Sequence, residues 1–89
     1  MSEPRAPLLR FPTDYPIKVV GRAGDDVRAQ ADAIMAAHVP DLDSSRVSER
    51  LSANGNFLCV SYVIHASSAE QVSALAAALK ACKAFLLVI

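Results

Sequence analysis

The sequence predicts an α+β sandwich, two helices on one face of a four-stranded antiparallel sheet, in the order strand, helix, strand, strand, helix, strand. Three observations lead there. Residues 15–20 and 57–66 alternate with the period of two that strands use to point side chains to opposite faces. Residues 27–38 and 72–82 instead repeat apolar side chains at intervals of three and four, the spacing of one helical stripe. The pair Asn54-Gly55 just before the second alternating run supplies the positive φ angles of a tight hairpin turn. With 89 residues, 53% of them hydrophobic and 20% charged, the chain is one domain and too apolar to remain disordered.

Along the chain, Pro4, Pro7 and Pro12 push the residues before them toward extended conformations, so residues 1–12 read as an N-terminal tail and residues 13–89 as the domain. Leu8, Leu9 and Phe11 are the tail side chains expected to fold back. The first strand, Tyr15 to Val20, sets Tyr15, Ile17 and Val19 against Pro16, Lys18 and Val20. Gly21 and Gly24 interrupt it, and Asp25 and Asp26 supply the acidic first turn that the positive end of a helix dipole favours. The helix stripe is Val27, Ala31, Ile34 and His38 with Met35 beside it; Arg28, Asp32 and Ala36 point away, and Pro40 closes the helix.

After the polar connection Asp41 to Ser45, Arg46 to Ala53 is expected as a strand with Val47 and Leu51 on one side, although Glu49 shares their parity. The hairpin returns through Phe57 to Ala66, with Leu58, Val60, Tyr62 and Ile64 toward the core and Phe57, Cys59, Ser61, Val63 and His65 away from it. Ser67 followed three residues later by Glu70 forms a capping box, and Val72, Leu75, Ala76, Leu79 and Cys82 make the second stripe. The run Ala84 to Ile89 is apolar throughout and of strand length, as a last strand docked in the sheet would be. Right-handed crossovers then give the ferredoxin-like, split-βαβ closure with strand order 4-1-3-2. Both helices cover one face, so the other carries Lys18, Val20, Phe57, Cys59, Ser61, Val63 and His65, more apolar area than a solvated face needs. The tail, a second copy or a partner would cover it.

Composition excludes several classes. Nine Lys and Arg balance nine Asp and Glu, so the basic footprint of a nucleic-acid binder is missing. The apolar stretch Phe57 to Ser68 contains Ser61 and His65 and falls short of the roughly 20 apolar residues of a membrane span. The start carries Glu3 and scattered apolar residues in place of a continuous hydrophobic signal region, which makes the cytoplasm the expected compartment. Cys59 and Cys82 have neither CxxC spacing nor disulfide-scaffold density and read as reduced, packed thiols, although Lys80 and Lys83 flank Cys82. His38 and His65 stand alone, without other metal ligands at ligand spacing; neither a metal nor a cofactor is expected.

The best candidate small-ligand site is the loop Gly21-Arg22-Ala23-Gly24-Asp25, where backbone N–H groups at a helix start and the Arg22 charge favour an anion. Any short strand-to-helix turn also uses glycines, and Asp25 and Asp26 oppose a phosphate. His38 fits a packed or helix-capping role, and His65 has no nucleophile at a recognisable spacing. The pairs Asp25-Asp26 and Asp41/Asp43 read as helix-start and loop charges, so no catalytic residue is assigned. Ala74, Ala77, Ala78 and Ala81 leave the outer side of the second helix nearly chargeless, as a contact surface or simple helix propensity would.

Two segments carry a resemblance. Leu8-Leu9-Arg10-Phe11-Pro12-Thr13-Asp14-Tyr15-Pro16-Ile17-Lys18-Val19-Val20-Gly21 and Ser52-Ala53-Asn54-Gly55-Asn56-Phe57-Leu58 resemble the two signatures of the YbeD-like (UPF0250-type) family of small bacterial proteins, and the likeness runs from Leu8 to Ile89. The resemblance implies a ferredoxin-like fold similar to ACT regulatory domains and a bacterial cytoplasmic protein, with a lipoate-related regulatory association. It brings no catalytic residues. Phe11, Pro12, Lys18, Val19, Gly21, Gly55 and Asn56 fall on motif positions. In ACT domains, small amino-acid-like ligands bind near the loop after the first strand, which maps here to Gly21, Arg22 and Gly24; the Asp-x-Pro-Gly type of turn found in the ligand-binding forms is missing. The reading expected is therefore a non-enzymatic regulatory or interaction domain of ACT-like architecture that meets a protein partner or a second copy. The alternative is a sensor binding an anionic metabolite, amino acid or lipoyl group at the first strand–helix loop.

Overall fold

The computed structural model describes residues 10–89. Leu8 and Leu9 lie outside them, whereas Phe11 folds back and packs against the core. Strands β1 (Thr13–Arg22), β2 (Val47–Leu51), β3 (Phe57–Ala66) and β4 (Phe85–Val88) alternate with helices α1 (Val27–His38) and α2 (Ala69–Ala81), and a single 3-10 turn, Ser44–Arg46, leads into β2. The sheet order is β2-β3-β1-β4 with every neighbouring pair antiparallel, the ferredoxin-like arrangement expected. Its spine is the β1–β3 pair, in register from Thr13 opposite Ala66 to Arg22 opposite Phe57.

Both helices seal the same face. Ile17 and Val19 of β1 and Leu58, Val60, Tyr62, Ile64 and Ala66 of β3 bury with Val27, Ala31 and Met35 of α1 and Leu75 and Leu79 of α2 in one cluster. The centre of the α1 stripe is thus Val27, Ala31 and Met35, with Ile34 and His38 only half-buried. Arg28 and Asp32, expected to point away, reach the sheet edge instead. The buried Tyr62 hydroxyl donates to Asp32 Oδ1 at 2.7 Å, Arg28 Nε donates to Asp32 Oδ2 at 2.9 Å, and Arg28 Nη1 meets Glu49 Oε1 at 2.6 Å. Glu49, the residue that spoils the apolar alternation of β2, is there to close this network. Burial first, and then the bond to Asp32, push the Tyr62 hydroxyl pKa up, so it stays a donor.

The helix starts differ from expectation by a residue or two. Helix α1 begins at Val27 because Asp26 takes a left-handed conformation, φ 53°, as its N-cap; neither Asp25 nor Asp26 lies in the first turn. Helix α2 is capped by Ser68, whose Oγ accepts from Gln71 N at 3.1 Å, while Gln71 Oε1 accepts from Ser67 N at 2.8 Å. The reciprocal cap is therefore built on Ser68 and Gln71 in place of Ser67 and Glu70. Gln71 Nε2 also donates to the His38 carbonyl at 3.0 Å, tying the start of α2 to the end of α1.

Candidate functional site

Strand parity and register bring the candidate surface together. Lys18 and Val20 of β1 pair with Ser61 and Cys59 of β3, and Phe57, Val63 and His65 share that side of β3, the side opposite the helices. The seven residues expected on the open face are all there, exposed or half-buried. The face is larger than expected. Leu87 of β4 pairs with Val20, and Ile89 exchanges backbone hydrogen bonds of 2.8 and 2.9 Å with Lys18, so both join the same face, 51% and 68% exposed. Arg50 of β2 lies opposite Cys59.

The surface has an open concavity beside the hairpin. Val20, Arg50, Leu51, Ser52, Ala53, Phe57 and Cys59 line a concavity of about 360 Å³. Its walls are positioned by the turn: Ser52 N donates to the Phe57 carbonyl at 2.8 Å, Phe57 N donates to Ser52 Oγ at 3.1 Å, and Asn54 Oδ1 accepts from Asn56 N at 3.2 Å. Gly55 sits at φ +76°, where an L side chain is strained, but Asn54 does not take the positive φ expected of it, and the strands are joined by the longer loop of residues 52–56 in place of a tight Asn54-Gly55 turn. The turn that makes the hairpin thus also brings Phe57 and Arg50 to one notch.

Electrostatically the face is one-sided. Its carboxylate, Asp14, is engaged by Arg46 Nη2 at 2.8 Å and by His65 Nδ1 at 3.6 Å. The hydrogen-bonded Arg46 guanidinium holds the Asp14 carboxyl below its ordinary range, with His65 adding to the effect. Lys18, Arg22 and Arg50 form no salt bridge with any carboxylate among the described residues.

The candidate loop divides. Arg22 ends β1 opposite Phe57 and so belongs to the open face. Gly21 turns inward: a Cβ there would lie 2.5 Å from the Ala84 carbonyl oxygen and 2.6 Å from Val27 Cγ2. Only glycine lets β4 and α1 approach so closely. A Cβ at Gly24 would meet nothing within 4 Å, and the neighbouring donors are engaged, Ala23 N with the Asn56 carbonyl and Asp25 N with the Arg22 carbonyl. Cys59 and Cys82 are free thiols, and Cys82 Sγ lies 3.4 Å from Gln30 Oε1. Among the described residues no group of three His, Cys, Asp or Glu side chains could hold a metal ion, and no helix is long and apolar enough to cross a membrane.

Two signals for this site are hard to see in sequence. The last strand has no polar alternation to reveal which side Leu87 and Ile89 take, and Arg22 sits between two glycines that read as loop. Comparison with known proteins adds family context. A family model described as "Protein of unknown function (DUF493)" matches residues 6–89. A UPF0250 protein of Hahella chejuensis is 40% identical over 80 residues, covering 90% of this chain and 88% of its own. One of Ectopseudomonas mendocina is 42% identical over 81 residues, with 90% and 88% covered, and one of Ralstonia nicotianae is 36% identical over 80, with 90% and 82% covered. No solved structure matches.

Proposed function

The chain belongs to the DUF493 family, whose curated bacterial relatives bear the name UPF0250 protein, and on that footing we propose that it is a non-enzymatic regulatory or interaction domain of ACT-like architecture that meets its partner through the open sheet face. One observation carries the reading: Val20, Phe57, Cys59, Val63, Leu87 and Ile89 gather on the side of the sheet that the helices leave uncovered. Antiparallel sheets with a solvated face ordinarily alternate apolar inward with polar outward, and here the outward set includes these apolar side chains among its polar ones. The non-enzymatic part is supported by the state of His65, which faces Asp14 and accepts or donates no hydrogen bond to a hydroxyl or thiol among the described residues.

Photo-crosslinking in living bacteria tests it. A photoreactive residue at Val63 or Leu87 is expected to yield a discrete adduct whose mass distinguishes a second copy from another protein. The same residue at Ala77, on the outside of α2, is expected to yield none. Adducts from Ala77 alone, or from no open-face position, would remove the reading.

A further inference from the structure

The proposed recognition surface has a charge that selects its occupant. In a chain whose charges balance overall, the open face presents Lys18, Arg22 and Arg50, while Asp14 is already held by Arg46 and His65. The carboxylates Asp32 and Glu49 are bound to Arg28 on the helix side of the sheet. Arg50 lines the notch, and Arg22 lies opposite Phe57, one of its walls. On β3, Phe57 and Cys59 lie between Arg50 on β2 and Arg22 with Val20 on β1, strands spaced about 4.8 Å apart. Resting on the reading of the open face as the interaction surface, we infer that this face binds an acidic, amphipathic segment of a partner protein, with a bulky apolar side chain seated in the notch beside Phe57 and carboxylates meeting Arg22, Arg50 and Lys18.

Charge argues against a second copy as the occupant. A second copy laid face to face would set the same three cations against their counterparts, with its Asp14 already engaged; like charges across an interface suppress association. Single-stranded nucleic acid is held by stacking successive bases on aromatic rings, and the face offers Phe57 among the aliphatic Val20, Val63, Leu87 and Ile89. Beside the exposed Leu87 and Ile89, Phe57 and Cys59 line a concavity of about 360 Å³, room for an inserted side chain of a protein partner. Complementary carboxylates would steer encounter and set register, and the buried apolar anchor would carry most of the affinity.

Selection from a random 16-residue peptide library on the full chain tests the inference. Enriched peptides are expected to be acidic, to contain Leu, Phe or Trp, and to shift the amide signals of Val20, Phe57, Cys59 and Val63. By calorimetry, Lys18→Glu combined with Arg50→Glu is expected to weaken the best peptide at least tenfold, the milder Lys18→Gln with Arg50→Gln severalfold, and Phe57→Ala about tenfold. Lys83→Glu, in the turn after α2, is expected to change nothing. Neutral or basic peptides enriched on this same face would overturn the acidic-partner inference while leaving the open-face reading standing. Enrichment of no peptide for this face would sink both. Tighter binding at this face of a thymidine oligonucleotide or of phosphatidylglycerol vesicles would also overturn the inference, in favour of a nucleic acid or a membrane.

Discussion

Strand β3 has two sides with opposite fates. Leu58, Val60, Tyr62 and Ile64 are sealed under the helices, the last three fully, while Phe57, Cys59, Ser61, Val63 and His65, one residue out of phase, stay at the surface. Both sides are rich in apolar carbon, so hydrophobicity alone does not decide which becomes core. The helices decide, because α1 and α2 both cross on one side. Apolar side chains on the covered side contribute to stability; those on the uncovered side leave surface available for recognition.

Four experiments sharpen or break that contrast, beginning with the largest effect. Leu75→Ala, at a fully buried position, is expected to cost about 2–5 kcal/mol in urea unfolding, against less than ~1 kcal/mol for Val63→Ala on the open side. Equal losses would mean that the open face is core after all. Next, Gly21→Ala drives a Cβ into the Ala84 carbonyl and Val27, for an expected loss on the order of 1–3 kcal/mol by the same measurement. Gly24→Ala, with open space around it, is expected to stay within about 0.5 kcal/mol. A mild Gly21→Ala would show that the packing of Ala84 and Val27 against Gly21 yields.

Tyr62→Phe removes the hydroxyl donated to Asp32 and should lower stability by about 0.5–1.5 kcal/mol in thermal unfolding, since Asp32 is partly exposed and keeps Arg28. A larger loss would mean that the network reaching α1 and Glu49 acts as one unit. The smallest effect is on the open side. Asp14 has a folded-state pKa below its ordinary value of 3.8, so its contribution is present above that value and is lost as pH falls through the lower folded one. Asp14→Asn is therefore expected to be slightly less stable than the parent at pH 7, with the gap closing as the pH is taken below about 4. A gap that persists at pH 2 would show that the pair with Arg46 is not its cause.

Much of this was legible in one dimension. The period-two pattern of β1 and β3, the Asn54-Gly55 turn and the helical stripes are local properties, and they specify the elements and the even-side core of β3 because side-chain direction follows from backbone geometry alone. Helix starts were less legible by a residue or two: Asp25-Asp26 read as first-turn charges and Ser67 as the cap, yet Asp26 is itself the N-cap in the left-handed region and Ser68 makes the bond. A cap is chosen by how the chain enters the helix, and neighbouring residues of similar chemistry compete for the position.

The candidate site was legible only in part. Lys18, Val20 and the odd-numbered residues of β3 follow from alternation. Leu87 and Ile89 do not, because an all-apolar strand carries no parity signal, and Leu86 is an extra residue where the β1–β4 register shifts. Nor could alternation show that Arg22 and Arg50, far apart in the chain, lie on the same face opposite Phe57 and Cys59 of β3, or that Gly21 is a packing contact under Ala84 in place of a loop hinge. Periodicity determined which side chains share a face of each element. Which elements lie side by side, and hence where the charges gather, was decided by strand register and helix placement, since those rest on contacts between residues that the chain brings together only when it folds.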